Sequence, residues 1–435
     1  MNLIIRQGKK KPLFQLGVSL VCVLFLQISC SENSSKAENI QGEITPASGD
    51  AETQATLKLI EKTPDSPDGY TRLAVIYIKK ARKNGDFELN SKADLAVERA
   101  LEISPANAEA QKLKASLHLT FHRFREALEM GRKLQLEFPN DAFVYGVLTD
   151  ANVELGNYTE AVAAAQKMID LKPNTASYAR VGHLRSLHGD HTGAVEMFKT
   201  AARTADPIDK EAQSWCLVQL GDEFWKNGNY SQAEKVYDEA LQVFPDFHLA
   251  VAEKGRIRAS QNDLEAAEKF LTDAQNKVPT AETIILLGDI YKLQGNTEKA
   301  GYQYGLVEAV EQKLGVKGAQ TRLALFWADQ NIRLDEALSI AASEYDTRKD
   351  IYTADTLAWC LFKKGRLQEA KATITEAMRL KTKDARILYH AGMIENGLGN
   401  RKEAVELLEN ALKLNPSFDL LQAENARAAL QELKF

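Results

Sequence analysis

The sequence has no Gly-rich phosphate loop, no dinucleotide fingerprint, no nucleophile elbow and no paired-cysteine metal motif. Nor does any non-repeat region reach domain size, so an active site has nowhere to be built and the chain is not expected to be an enzyme. A basic surplus is missing too: 55 Lys and Arg stand against 60 Asp and Glu, for a net charge of −5. That balance argues against nucleic acid as the partner. Cysteine is scarce, with four residues in all. Cys22 lies in the first apolar run, while Cys216 and Cys360 are too far apart along a linear array to pair, and each is expected to be a small buried side chain.

Histidine offers no metal site. His118 and His122 are four apart, but Leu119 stands where a zinc protease needs its glutamate. His183, His188 and His191 have spacings that do not place all three on one helical face. No cofactor, metal or small-molecule substrate is expected.

A membrane-spanning run is also lacking. Leu13 to Ile28 is short for a span and follows Lys9, Lys10 and Lys11, the order of a secretory leader over residues 1–30. Its ending, Leu26-Gln27-Ile28-Ser29-Cys30, resembles a bacterial lipobox, which implies an acylated Cys30 as the first mature residue. The expected location is therefore the bacterial cell envelope, lipid-anchored on the periplasmic face or outer membrane; a secreted protein and an uncleaved anchor are the alternatives. Residues 31–50 are polar and predict a flexible tether.

What the chain does have is a repeat. Leu217 to Pro245 reads as two amphipathic helices around Lys226-Asn227-Gly228-Asn229, with Gly221 and Ala233 letting the backbones approach and Leu217, Leu220, Phe224 and Tyr237 filling the space between. The same alanine recurs at Ala93, Ala127, Ala161, Ala194, Ala233, Ala267, Ala300, Ala337, Ala370 and Ala404, in steps of 34, 34, 33, 39, 34, 33, 37, 33 and 34 residues. In a 34-residue frame these residues resemble the tetratricopeptide repeat. The resemblance implies an all-α, right-handed α-solenoid of about ten helix-turn-helix repeats.

The expected layout is a capping helix at 51–64, repeats 1–7 over 66–311, an irregular connection at 312–333, repeats 8–10 over 323–416 and a capping helix at 417–435. About seven extra residues around 83–86, within 83–92, form an insert in the first repeat, either a longer helix or a loop, and Asp206-Pro207-Ile208-Asp209 a longer connection. The order of features from about 68 to 430 also resembles a group of exported bacterial tetratricopeptide proteins mostly without assigned function.

The family places frame positions 2, 5, 9, 12 and 13 on a concave groove. Repeat five puts Trp215 and Trp225 there, repeat nine Tyr352, Trp359 and Phe362, and repeat ten Arg386, Tyr389 and Met393. Aromatic side chains on such a face are expected to anchor a protein or peptide partner. The chain then reads as a non-enzymatic scaffold, or alternatively as an accessory that transiently holds translocating or outer-membrane clients.

Overall fold

The computed structural model describes residues 50–313 and 320–434, and among these it has 22 helices and no strand. The leader, the tether and Cys30 lie outside the described residues, as does the Leu314 to Gly318 bend. No described helix is long and apolar enough to cross a membrane.

The chain divides into two compact units. The smaller, residues 50–82 and 88–114, holds α1 (Ala51–Lys62), most of α2 (Pro67–Asn84), α3 (Glu88–Ile103) and the start of α4 (Ala108–Thr120). Asp50 caps α1 by accepting from the Thr53 N–H and pairs with Lys80 at 2.6 Å, and these contacts hold its carboxyl down at about 2. Leu57 and Ile60 are buried, Ile60 lying against Gly69 of the first repeat, where Leu73 and Tyr77 are buried as well. The insert at 83–86 is absorbed mainly as helix: α2 and α3 run 18 and 16 residues.

The larger unit, residues 83–87 and 115 onward, carries the remaining repeats. Its helix pairs are α5 (Phe124–Glu137) after α4; α6 (Ala142–Glu154) with α7 (Tyr158–Leu171); α8 (Thr175–Leu187) with α9 (His191–Arg203); and α10 (Lys210–Lys226) with α11 (Tyr230–Val243). Then come α12 (His248–Ser260) with α13 (Leu264–Lys277); α14 (Ala281–Leu293) with α15 (Thr297–Lys313); and α16 (Thr321–Asp329) with α17 (Leu334–Thr347). The last pairs are α18 (Ile351–Lys363) with α19 (Leu367–Ala377) and α20 (Ala385–Gly397) with α21 (Arg401–Leu414), closed by α22 (Gln422–Lys434).

The small residues set the hairpin packing. A Cβ on Gly221 would overlap the Tyr237 ring, and Ala233 and Ala240 are fully buried beneath it. The 39-residue step is a loop capped by Asp209, which accepts from the Ala212 N–H. At the C-terminus the cap begins later than the sequence suggests. Asp419 accepts from the N–H groups of Leu421 and Gln422, so residues 417–421 form a turn and the helix starts at Gln422.

Within this unit the solenoid winds back onto itself. The Ile351 N–H donates to Tyr158 Oη at 3.0 Å, Thr382 Oγ1 donates to the Leu187 carbonyl, and Asn415 Nδ2 donates to the Trp225 carbonyl at 2.9 Å. These partners are 193, 195 and 190 residues apart, a nearly constant offset of between five and six repeats. A constant offset in a repeat protein marks one superhelical turn, so the loops entering repeats nine and ten and the cap lie over the helix-helix turns of repeats three, four and five.

A candidate protein-binding lumen

The first helices of the larger unit face inward, and the coil encloses them. Between α10, α12, α14, α16, α20 and the 417–422 turn lies a cavity of about 170 Å³. Its wall is mostly apolar, with Ile285, Leu286, Leu325 and Phe326 among its residues, and is interrupted by charged side chains. Arg256 lies over the Trp225 ring at 3.9 Å and pairs with Asp222 at 2.8 Å, where Tyr237 Oη also donates at 2.8 Å. Arg322 pairs with Glu282. Arg386 opens onto the same space with Asp419 and Asp329 as acidic neighbours and no direct ion pair among the described residues.

The acids of this wall are poorly solvated. Burial, reinforced by Asp419, pushes Asp289 up to about 8 although Tyr304 Oη donates to it at 2.6 Å. Burial and Asp419 likewise push Asp329 up to about 6 against the hydrogen bond from Trp359 Nε1 at 2.9 Å. With the Asp289 carboxyl held toward its neutral form, the arginines carry more weight in the lumen than a count of charges suggests.

The aromatic residues expected to line an open groove divide into two sets. Trp359 and Tyr389 are each 1% exposed, which corrects the expectation that they present a free face. The Trp359 ring stacks on His390 at 4.1 Å and on Phe362 at 5.0 Å, while Tyr389 donates to Gln422 Oε1 at 2.9 Å and packs on Phe418 at 5.4 Å. Phe362 and Met393 are half-buried against the same core. These four residues do come together, but as the packing between repeats nine, ten and the cap. The frame positions put them on the inner side, where the next repeat and the 417–422 turn cover them.

Tyr352 is half-buried near the start of α18, and burial pushes its hydroxyl up to about 12 despite nearby Lys226. Trp225 lines the cavity, and its Nε1 donates to Ser260 Oγ at 3.4 Å. Trp215 is 37% exposed near the start of α10. Arg256, Asp289 and Glu282 were not singled out in the sequence, yet they occupy frame positions 9, 9 and 2 of repeats six and seven. Extending the same frame to those two repeats would have found them.

His390 is buried, with Nδ1 2.8 Å from Asp355 Oδ1. Cys216 and Cys360 are buried and unpaired, and burial pushes both thiols up to about 12. Among the described residues no three His, Cys, Asp or Glu side chains are grouped to hold a metal ion.

Helix pairs in 34-residue register, small residues at their crossings and an enclosed inner face define a helical repeat solenoid. The chain carries tetratricopeptide repeats: the family model matches residues 218–282, and a second model of the same description matches 355–384 and 385–418. Proteins built from this repeat are generally protein-interaction scaffolds.

Among curated relatives, anaphase-promoting complex subunit 3 of Schizosaccharomyces pombe is 24% identical over 51% of this chain, and the match spans 35% of that protein's length. A TPR repeat-containing protein of Methanocaldococcus jannaschii is 22% identical over 84% of this chain and 67% of its own. Of solved structures, a thermophilic TPR protein from Thermus thermophilus aligns at 20% identity with a TM-score of 0.37, covering 48% of this chain and 98% of its own.

Proposed function

We propose that this chain is a non-enzymatic scaffold that holds a segment of a partner protein in the lumen of repeats five to eight, at the bacterial cell envelope and tethered through lipid on Cys30. The carrying observation is the cavity wall, where Trp225 under Arg256 adjoins apolar side chains and Arg386 points in without an ion pair among the described residues. A cavity of about 170 Å³ accepts one large side chain, the anchor of a longer segment. Arg386 favours a carboxylate beside that anchor. Attachment to the membrane rests on the leader and the Ser29-Cys30 ending.

A photoreactive residue in place of Trp225 tests the lumen. It should crosslink a discrete partner in cells, whereas the same residue at Lys413, on the outer helix α21, should not. Crosslinks from Lys413 alone would refute a luminal site. Palmitate labelling that disappears in Cys30→Ala supports the anchor, and labelling that persists removes it.

A further inference from the structure

Among the described residues, the loop-on-turn contact that closes the larger unit leaves two edges unused. One edge is formed by the loops joining repeats two to three, three to four and four to five, at the start of the first coil. The other is formed by the helix-helix turns of repeats seven to ten, at the end of the second. These are the same two kinds of surface that meet inside the molecule.

Both free edges carry exposed apolar side chains. Leu136, Phe143 and Ile208 are 84%, 42% and 90% exposed at the loop edge, and Leu293 and Ile332 are each 45% exposed at the turn edge. An open cleft of about 600 Å³ lies at the loop edge between Phe138, Phe143, Met168 and Leu171. At the turn edge Gly295, Gly365 and Gly399 have the left-handed conformation of the covered turns, but a Cβ there would meet nothing within 4 Å.

The charges are complementary as well. The loop edge has an acidic surplus, with Glu137, Asp141, Asp170, Asp206 and Asp209 outnumbering Lys172, Arg203 and Lys210. The turn edge has a small basic surplus: Lys292, Lys299, Lys364, Arg366, Arg401 and Lys402 stand against Glu298, Asp335, Glu369 and Glu403, with Lys364 and Arg366 already paired to Asp335 and Glu369.

We propose that a second copy of this chain stacks head to tail on the first, its loop edge lying over its neighbour's turns of repeats seven to ten. The internal seam supplies the precedent, and the apolar side chains and opposite charges supply the attraction. Such a contact joins two different surfaces, so it leaves one edge of each kind free at the ends of every assembly.

Complementation in the full chain tests the proposal. Leu136→Glu with Ile208→Glu disables the loop edge, and Leu293→Glu with Ile332→Glu disables the turn edge. All four side chains are exposed, so Tm should be unchanged; a variant whose Tm falls is replaced by its serine counterpart. Sedimentation velocity should show the parent self-associating with concentration, less so at high salt. Each variant should associate at least ten-fold more weakly, while an equimolar mixture of the two should form a dimer and nothing larger. A parent that stays monomeric at about 100 μM, variants that associate as the parent does, or a mixture that stays monomeric would each overturn the proposal.

Discussion

The turns of repeats three, four and five and those of repeats seven, nine and ten have the same local structure and different surroundings. Each turns on a glycine with positive φ, between 70° and 81°. Gly156 lies so close to the next coil that a Cβ would sit 2.5 Å from the Lys349 carbonyl oxygen, and on Gly189 it would sit 2.7 Å from that of Lys381. Gly399 has open space. The hairpin demands glycine at all of these sites for conformation, but only the covered turns demand it for room.

The largest separation between the two regions should come from alanine at the glycines. Gly399→Ala bears only the left-handed penalty, about 1 to 2 kcal/mol. Gly156→Ala bears that penalty and must also move the backbone at Lys349, so about 3 kcal/mol or more is expected. Denaturant unfolding measures the difference, and hydrogen exchange should show lost protection at the Lys349 and Ile351 amides in Gly156→Ala alone. Equal losses would mean that the coil seam contributes nothing.

Cutting ion pairs should separate the regions by a smaller amount. At the covered turn of repeat three, Arg348 Nε lies 2.5 Å from Glu154 Oε2 and 3.0 Å from Asp350 Oδ2. The Lys349 N–H donates to the Glu154 carbonyl beside it, and Arg379 Nη2 donates to the Lys349 carbonyl at 2.6 Å. Arg348→Ala leaves two carboxylates short of a partner in a confined seam and should cost about 2 kcal/mol. At the free turn of repeat nine, Arg366 pairs with Glu369 in full solvent, and Arg366→Ala should leave Tm unchanged.

How much of this was legible follows from the range of each interaction. Gly221, Ala233 and Tyr237 meet within one repeat, so spacing alone identified the hairpin. The frame puts Trp359 on the inner side of its helix, but its burial depends on Asp329 and His390, 30 and 31 residues away, and on the cap beyond them. Winding depends on small rotations summed over between five and six repeats, and no single residue encodes the sum.

A trace of the winding remains in the frame itself. Position 17 is Tyr158 in repeat three and Tyr230 in repeat five, and each hydroxyl reaches the overlying loop: Tyr158 accepts from the Ile351 N–H, and Tyr230 donates to Asn415 Oδ1 at 2.6 Å. The same position is Thr297, Leu367 and Arg401 in the free turns. Tyrosine stands there in two of the three covered turns, the third having His191.

The smallest expected effect is also the one whose sign distinguishes the regions. Burial pushes Glu154 at the covered turn up to about 7, outweighing Arg348, whereas the hydrogen bond from Arg366 holds the exposed Glu369 below its usual range. A carboxyl raised on folding binds its proton more readily in the native state. Its contribution is therefore fully present below the unfolded value near 4.5 and is lost as pH rises through about 7. A lowered carboxyl such as Glu369 does the reverse, contributing above 4.5 and losing that contribution as pH falls through its folded value. Glu154→Gln should therefore gain on the parent between pH 5 and pH 8, by about 1 kcal/mol after allowing for partial exposure, and Glu369→Gln should show no such gain. Thermal unfolding of the three proteins across that range measures it. A Glu154→Gln difference that stays flat or shrinks with rising pH would mean that Arg348 fully compensates the buried carboxylate, and that the seam between coils is as well solvated as the open turns.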